Sequence, residues 1–206
     1  PAHEALYEFA ASAPGERTLV ATGPLTNIAR AFQLHSDLPG LLKELIIMGG
    51  AFRLTPYGTG NETPYAEFNI WQDPEAAKIV FRSDARILVA GLDITADPST
   101  ALDVTDVTSL RRSGSSFGSL AASLAGFTLA RHDVCQLHDP LALAIALKPA
   151  LFDFIQGDVR VHTGEGKYRG MTELHSAERE RPVHVARGVD ATSFKRLFMQ
   201  RLAEDT

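Results

Sequence analysis

Two short polar clusters hold most of the side chains in this sequence that could do chemistry. The first runs Gly60-Asn61-Glu62-Thr63-Pro64-Tyr65-Ala66-Glu67-Phe68-Asn69. If Glu67 and Asn69 are locally extended they fall on one face, because side chains alternate with a period of two. A carboxylate beside two carboxamides then offers acceptors and donors together, the inventory needed to hold a polyhydroxylated sugar. A solvated loop with a helix-capping residue would use the same residue types, since loops are polar in general.

The second cluster is His138-Asp139-Pro140, placed directly before an apolar stretch. Asp139 fits an N-cap, with Pro140 at the first helical position. The neighbouring histidine adds a chemical reading. Imidazole titrates near neutrality and can give a proton to a leaving group, while a carboxylate at a helix start can ligate a hard cation. Weaker signals close three apolar runs: Thr22 in Ala21-Thr22-Gly23-Pro24, Met48 in Ile47-Met48-Gly49-Gly50, and Asp93 after Gly91-Leu92. A strand-to-helix turn, a core methionine and a cap or turn carboxylate account for these equally well.

The elements that must position these residues alternate. Thr18–Thr22, Glu44–Met48 and Arg86–Gly91 are apolar runs of strand length, separated by helical periodicity over about Leu25–Gln33 and from Asp73, whose Asp-Pro pair suits a helix start. Such alternation predicts an α/β fold with an open, mostly parallel, doubly wound sheet of Rossmann-like type flanked by helices. Ligands then bind at the carboxyl ends of the strands, where Thr22, Met48 and Asp93 fall. A helix is expected over Pro1–Ala11, a buried one over Asp139–Leu147, strands near Val159–His162 and Val183–Val185, and a terminal helix from about Ala191. Two stretches read as candidate lids: the long polar loop Ala51–Phe68, and Ser113–Ser123, whose seven Gly or Ser residues suggest a flexible entry to a helix.

The 206 residues, 45% hydrophobic, suffice for one domain over 1–206. A net charge of −5 gives no basic footprint for a nucleic acid polymer. The single cysteine, Cys135, and the lack of any membrane-length apolar run point to a reducing cytoplasm and no membrane partner. No CxxC, HExxH, GxSxG, Walker or GxGxxG pattern occurs, so structural zinc, zincin, serine hydrolase, kinase and dinucleotide readings drop out.

Taken in order, Thr22-Gly-Pro-Leu-Thr-Asn27, Ile47-Met-Gly-Gly50, Asn61 with Glu67-Phe-Asn69, Asp73-Pro-Glu-Ala76, Gly91-Leu-Asp-Ile-Thr95 and His138-Asp-Pro140 resemble the inosine–uridine-preferring nucleoside hydrolase family. Arg169-Gly-Met-Thr172 matches more loosely. The resemblance implies hydrolysis of the N-glycosidic bond of ribonucleosides, within purine and pyrimidine salvage, by a homo-oligomer (dimer or tetramer) that binds calcium. It implies that the Thr22 carbonyl and the Asp139 carboxylate ligate that ion. By the same resemblance Asn61, Glu67, Asn69 and Asp139 hold the ribose, Met48 packs against the sugar and His138 assists departure of the base. Phe127 and His132 are candidates to touch the base. The family opens with a strand and an Asp-x-Asp-x-Gly-x-Asp-Asp cluster, and nothing before Thr18 matches it. The expectation is therefore an N-terminally incomplete hydrolase domain, with a catalytically inactive ribose-binding or scaffold remnant as the alternative. An uncovered sheet edge or apolar face is expected to favour association.

Overall fold

The computed structural model describes residues 1–204. In chain order the elements are α1 (Ala2–Ala11), β1 (Arg17–Ala21), α2 (Thr26–Leu34), α3 (Leu38–Leu41), β2 (Leu42–Met48), α4 (Phe68–Gln72), α5 (Pro74–Phe81), β3 (Ile87–Ala90) and α6 (Leu92–Thr95). There follow α7 (Val104–Arg112), α8 (Ser116–Leu129), α9 (His138–Leu147), β4 (Phe152–Val161), β5 (Thr172–His175), β6 (Val183–Val189) and α10 (Ala191–Ala203). Among the described residues they build one sheet of order β1-β2-β3-β6-β4-β5. Strands β1, β2, β3 and β6 are parallel, and β4 runs against both β6 and β5. The sheet is thus mixed: a parallel half carries the expected strand ends, and an antiparallel hairpin edge extends it.

Both faces of the parallel strands are covered, which is why they read as continuous apolar runs. Leu45, Ile47, Ile87 and Val89 point into a core shared with α2 and α5. Their neighbours Ile46, Met48, Leu88 and Ala90 point into the opposite core, shared with α7, α8, α9 and α10. Period-two alternation therefore sends each run to two helix layers at once. Asp73 caps α5 as expected, its Oδ1 accepting from the Ala76 N–H at 2.9 Å while its Oδ2 accepts from the Thr26 hydroxyl at 2.5 Å.

Two expectations are corrected. The Ser113–Ser123 stretch is not a flexible entry: α8 already begins at Ser116, and Ser113-Gly114-Ser115 is a tight turn between α7 and α8. Gly114 takes the left-handed conformation there (φ 78°), and the buried Ser115 hydroxyl caps α8 and donates to the Leu202 carbonyl at 2.7 Å. The α9 helix is buried on one face only. Leu141, Ala142, Ala144 and Ile145 are inside, while Leu143 and Leu147 are about half exposed. No described helix is long and apolar enough to cross a membrane.

Candidate functional site

The carboxyl ends of the parallel strands bring the polar clusters together. β2 delivers Met48, followed by Gly49 and Gly50. Gly50 needs a positive φ of 87°, and a Cβ there would meet the Phe52 ring at 2.7 Å. Facing it, Glu67 is the N-cap of α4 and almost fully buried. Its Oε2 accepts from the Gly50 and Ile70 N–H groups at 3.0 and 3.1 Å, and its Oε1 accepts from the Asn69 N–H at 2.8 Å. Glu67 and Asn69 are therefore close because one caps the helix that holds the other, not because the segment is extended. The capping interaction won over the period-two reading. The buried Asn69 carboxamide donates to the Met48 carbonyl at 3.1 Å and lies 3.3 Å from its sulfur. Asn61 is exposed, and its Oδ1 accepts from the Phe68 N–H at 2.9 Å, so it also braces the start of α4.

Across from this group stands the N-terminus of α9. His138 is half-buried, with Nδ1 2.9 Å from the Thr95 hydroxyl. Burial pushes the imidazole below its ordinary range, and the adjacent Asp139 charge opposes that only in part. Asp139 is not the N-cap that its sequence position suggests; the helix begins two residues earlier, at His138, with Leu137 as an uncapped N-cap. Freed from capping, the Asp139 carboxylate stays accessible. Burial raises it above the usual carboxylate range, and His138 pulls it back. Glu67 is raised as well, chiefly by burial. Its three backbone N–H donors work against this, and the charge of Asp139 adds to it. The two carboxylates therefore sense each other across the site, an arrangement that favours a cation or hydroxyl donors between them. Thr22, at the end of β1, lines one groove with Asp139; this groove of about 470 Å³ is otherwise mostly apolar, through Val20, Leu143, Leu147 and Phe198.

The family profile described as inosine-uridine preferring nucleoside hydrolase matches residues 1–196. The chain belongs to that family. It is 39% identical over 197 residues to the pyrimidine-specific ribonucleoside hydrolase RihA of Klebsiella pneumoniae, covering 90% of this chain and 61% of the relative. The RihA of Citrobacter koseri is 38% identical over 201 residues, covering 92% and 62%. Among solved structures, a plant nucleoside hydrolase, PpNRh1, superposes with a TM-score of 0.89 at 35% identity, over 99% of this chain and 67% of that one. The purine-preferring ribonucleoside hydrolase from Gardnerella vaginalis gives 0.87 at 31% identity, over 98% and 65%. The chain thus spans about three fifths of the length of the curated relatives it matches.

Within this nucleoside hydrolase fold, Met48, Glu67, Asn69, His138 and Asp139 gather at the strand ends, Thr22 shares a groove with Asp139, and Asn61 stands at the rim. Calcium takes six to eight oxygen ligands. Thr22 and Asp139 supply hard oxygens, but no group of three or more His, Cys, Asp or Glu side chains among the described residues could hold a metal ion. Three further polar residues that support the site were not assigned by sequence. Asp93, fully buried, accepts from the N–H groups of Phe52, Leu54 and Thr55 at 2.8, 2.6 and 3.2 Å and so pins the long loop. The buried Thr172 hydroxyl exchanges hydrogen bonds of 3.0 Å with both the N–H and the carbonyl of Ala51. Thr95 holds the histidine. Asp93, Thr95 and Thr172 each lie inside a motif that carried the resemblance, which was the available signal.

Proposed function

We propose that this site binds the ribose of a ribonucleoside and serves hydrolysis of its N-glycosidic bond, releasing the free base and ribose. The observation that carries this reading is the convergence of Glu67, Asn69, His138 and Asp139 at the carboxyl ends of the parallel strands, two carboxylates that sense each other's charge beside an imidazole that burial makes harder to protonate. Asn61, Asn69, Glu67 and Asp139 offer the donors and acceptors that ribose hydroxyls require. The Met48 side chain, buried beside Asn69, gives the sugar an apolar contact. Cleavage develops positive charge on the sugar, and carboxylates that hold its hydroxyls stabilise that charge in a site sheltered from water. A nucleobase is a poor anion, so it leaves more easily when a hydrogen bond shares its developing charge; the His138 imidazole offers that donor.

The Thr22 carbonyl and the Asp139 carboxylate are offered as two ligands of a calcium ion, the remaining oxygens coming from groups other than these side chains. We further propose that the protein serves nucleoside salvage in a reducing cytoplasm, as a homo-oligomer. The short donor set favours a second reading, in which the chain binds ribonucleosides without turning them over. One experiment separates the two. The protein is incubated with uridine, cytidine and inosine, and both binding and release of reducing sugar are followed. Release of ribose, abolished by Glu67→Ala, supports hydrolysis. Binding without release supports the second reading, and absence of binding for all three nucleosides overturns both.

A further inference from the structure

We propose that Thr95 is the positioning residue that decides which nitrogen of His138 carries the N–H that hydrogen-bonds the departing base. The inference rests on the reading of His138 as the hydrogen-bond donor that serves the leaving group. Thr95 closes α6, directly after β3, and is completely buried. Its main-chain N–H is already used, donating to the Gly91 carbonyl at 3.1 Å. Its hydroxyl lies 2.9 Å from Nδ1 of His138 and has no other hydrogen-bond partner among the described residues. A buried O–H without an acceptor is costly, so the Thr95 hydroxyl donates, and Nδ1 is the acceptor. The neutral ring then carries its hydrogen on Nε2.

That tautomer matters for the chemistry. With Nδ1 engaged against the back of the site, Nε2 is the ring nitrogen left to serve a bound molecule. The ring borders a cavity of about 610 Å³ with Arg131, His132, Cys135 and Gln136. A neutral imidazole holding Nε2–H can donate a hydrogen bond to the leaving base and so share its developing negative charge; the hydrogen stays on Nε2, since transfer would leave an imidazolate, and the base takes its proton from the water consumed in the hydrolysis. Were Thr95 absent, the ring could turn about its Cβ–Cγ bond or take the other tautomer, presenting a lone pair to the base. The hydrogen-bond donor would then be missing at the atom that needs it.

The variants Thr95→Val, which keeps the shape, and Thr95→Ser, which keeps the hydroxyl, test this on two ribosides. Uridine releases a uracil anion that gains from a hydrogen-bond donor, whereas p-nitrophenyl riboside releases a more stable phenolate that needs none. For Thr95→Val, kcat on uridine is expected to fall by roughly 10- to 100-fold with KM little changed, and turnover of the p-nitrophenyl riboside to stay within about threefold of wild type. Thr95→Ser restores most of the uridine rate. Equal losses on both ribosides, or no loss on uridine, would overturn the proposal. Long-range ¹H–¹⁵N correlation spectra give a readout that does not need turnover: neutral His138 is expected to carry its hydrogen on Nε2, and a hydrogen on Nδ1 would overturn the assignment. Should the wild type cleave neither riboside, the hydrolase reading fails, while the spectra still decide the Thr95–His138 pairing.

Discussion

A buried carboxylate costs free energy unless donors surround it, and Asp93 is surrounded by the N–H groups of Phe52, Leu54 and Thr55. It also leaves no room for a side chain at position 58, where a Cβ would overlap the Asp93 carboxylate. The loop from Ala51 to Glu67 is therefore tied to the strand end and does not hang free as a lid. In Asp93→Ala, three main-chain donors lose their acceptor, so the fold should lose about 2–4 kcal/mol in denaturant unfolding, and nucleoside affinity should fall because the same loop carries Asn61. Asp93→Asn keeps one acceptor oxygen and should lose less. Equal stability of Asp93→Ala and wild type would show that the loop does not depend on this residue. At this scale the sequence marked which polar residues the fold gathers better than what they touch. Glu67 and Asn69 read as a sugar-holding pair on one extended face, and their closeness comes instead from a helix cap. The three donors on Asp93 come from residues 38 to 41 positions away, a separation that no local pattern encodes.

Elements were legible where periodicity and end signals agreed. β1, β2, β3, α2 and α5 stand where apolar runs and the Asp73-Pro74 start placed them, because buried parallel strands and amphipathic helices leave strong patterns. Ser113–Ser123 misled because serine and glycine weigh against helix in isolation, whereas packing of Ala122 and Ala125 against the core and the Ser115 cap outweigh that propensity. α7 shows the same capping logic in a form that acid can probe. Asp103 accepts from the Thr105 and Asp106 N–H groups, while Asp106 accepts from the Asp103 N–H, a complete capping box. The Asp106 N–H, aided by that of Thr105, holds the Asp103 carboxyl below its ordinary range. A depressed carboxylate contributes stability above its unfolded pKa and loses it as pH falls through the folded one. Asp103→Ala should thus cost about 1 kcal/mol at neutral pH. The gap in Tm from wild type should narrow once the pH drops below about 4, the usual Asp value. A gap that stays constant into acid would exclude the charged cap as its source.

For the whole molecule, the site is a property of the sheet: one end of it collects β1, β2 and β3 with the starts of α4 and α9, and no single element holds more than two of the residues involved. Oxygen supply for a metal must be judged at this scale. Thr22 and Asp139 line one groove, Glu67 spends its oxygens on three backbone donors, and Asp93 spends its own on three others. Two protein oxygens leave most of the six to eight positions around calcium to water, so the ion gains little over its hydrated state. Calorimetric titration of calcium into the 206-residue polypeptide should accordingly give a dissociation constant of about 1 mM or weaker, with Asp139→Asn abolishing what remains. A micromolar constant would mean that further donors in this chain turn toward Asp139 when the ion arrives. It would also move the hydrolytic reading ahead of the binding-only one, since a tightly held cation beside His138 and Glu67 would bring the means to activate water to the residues that grip the sugar.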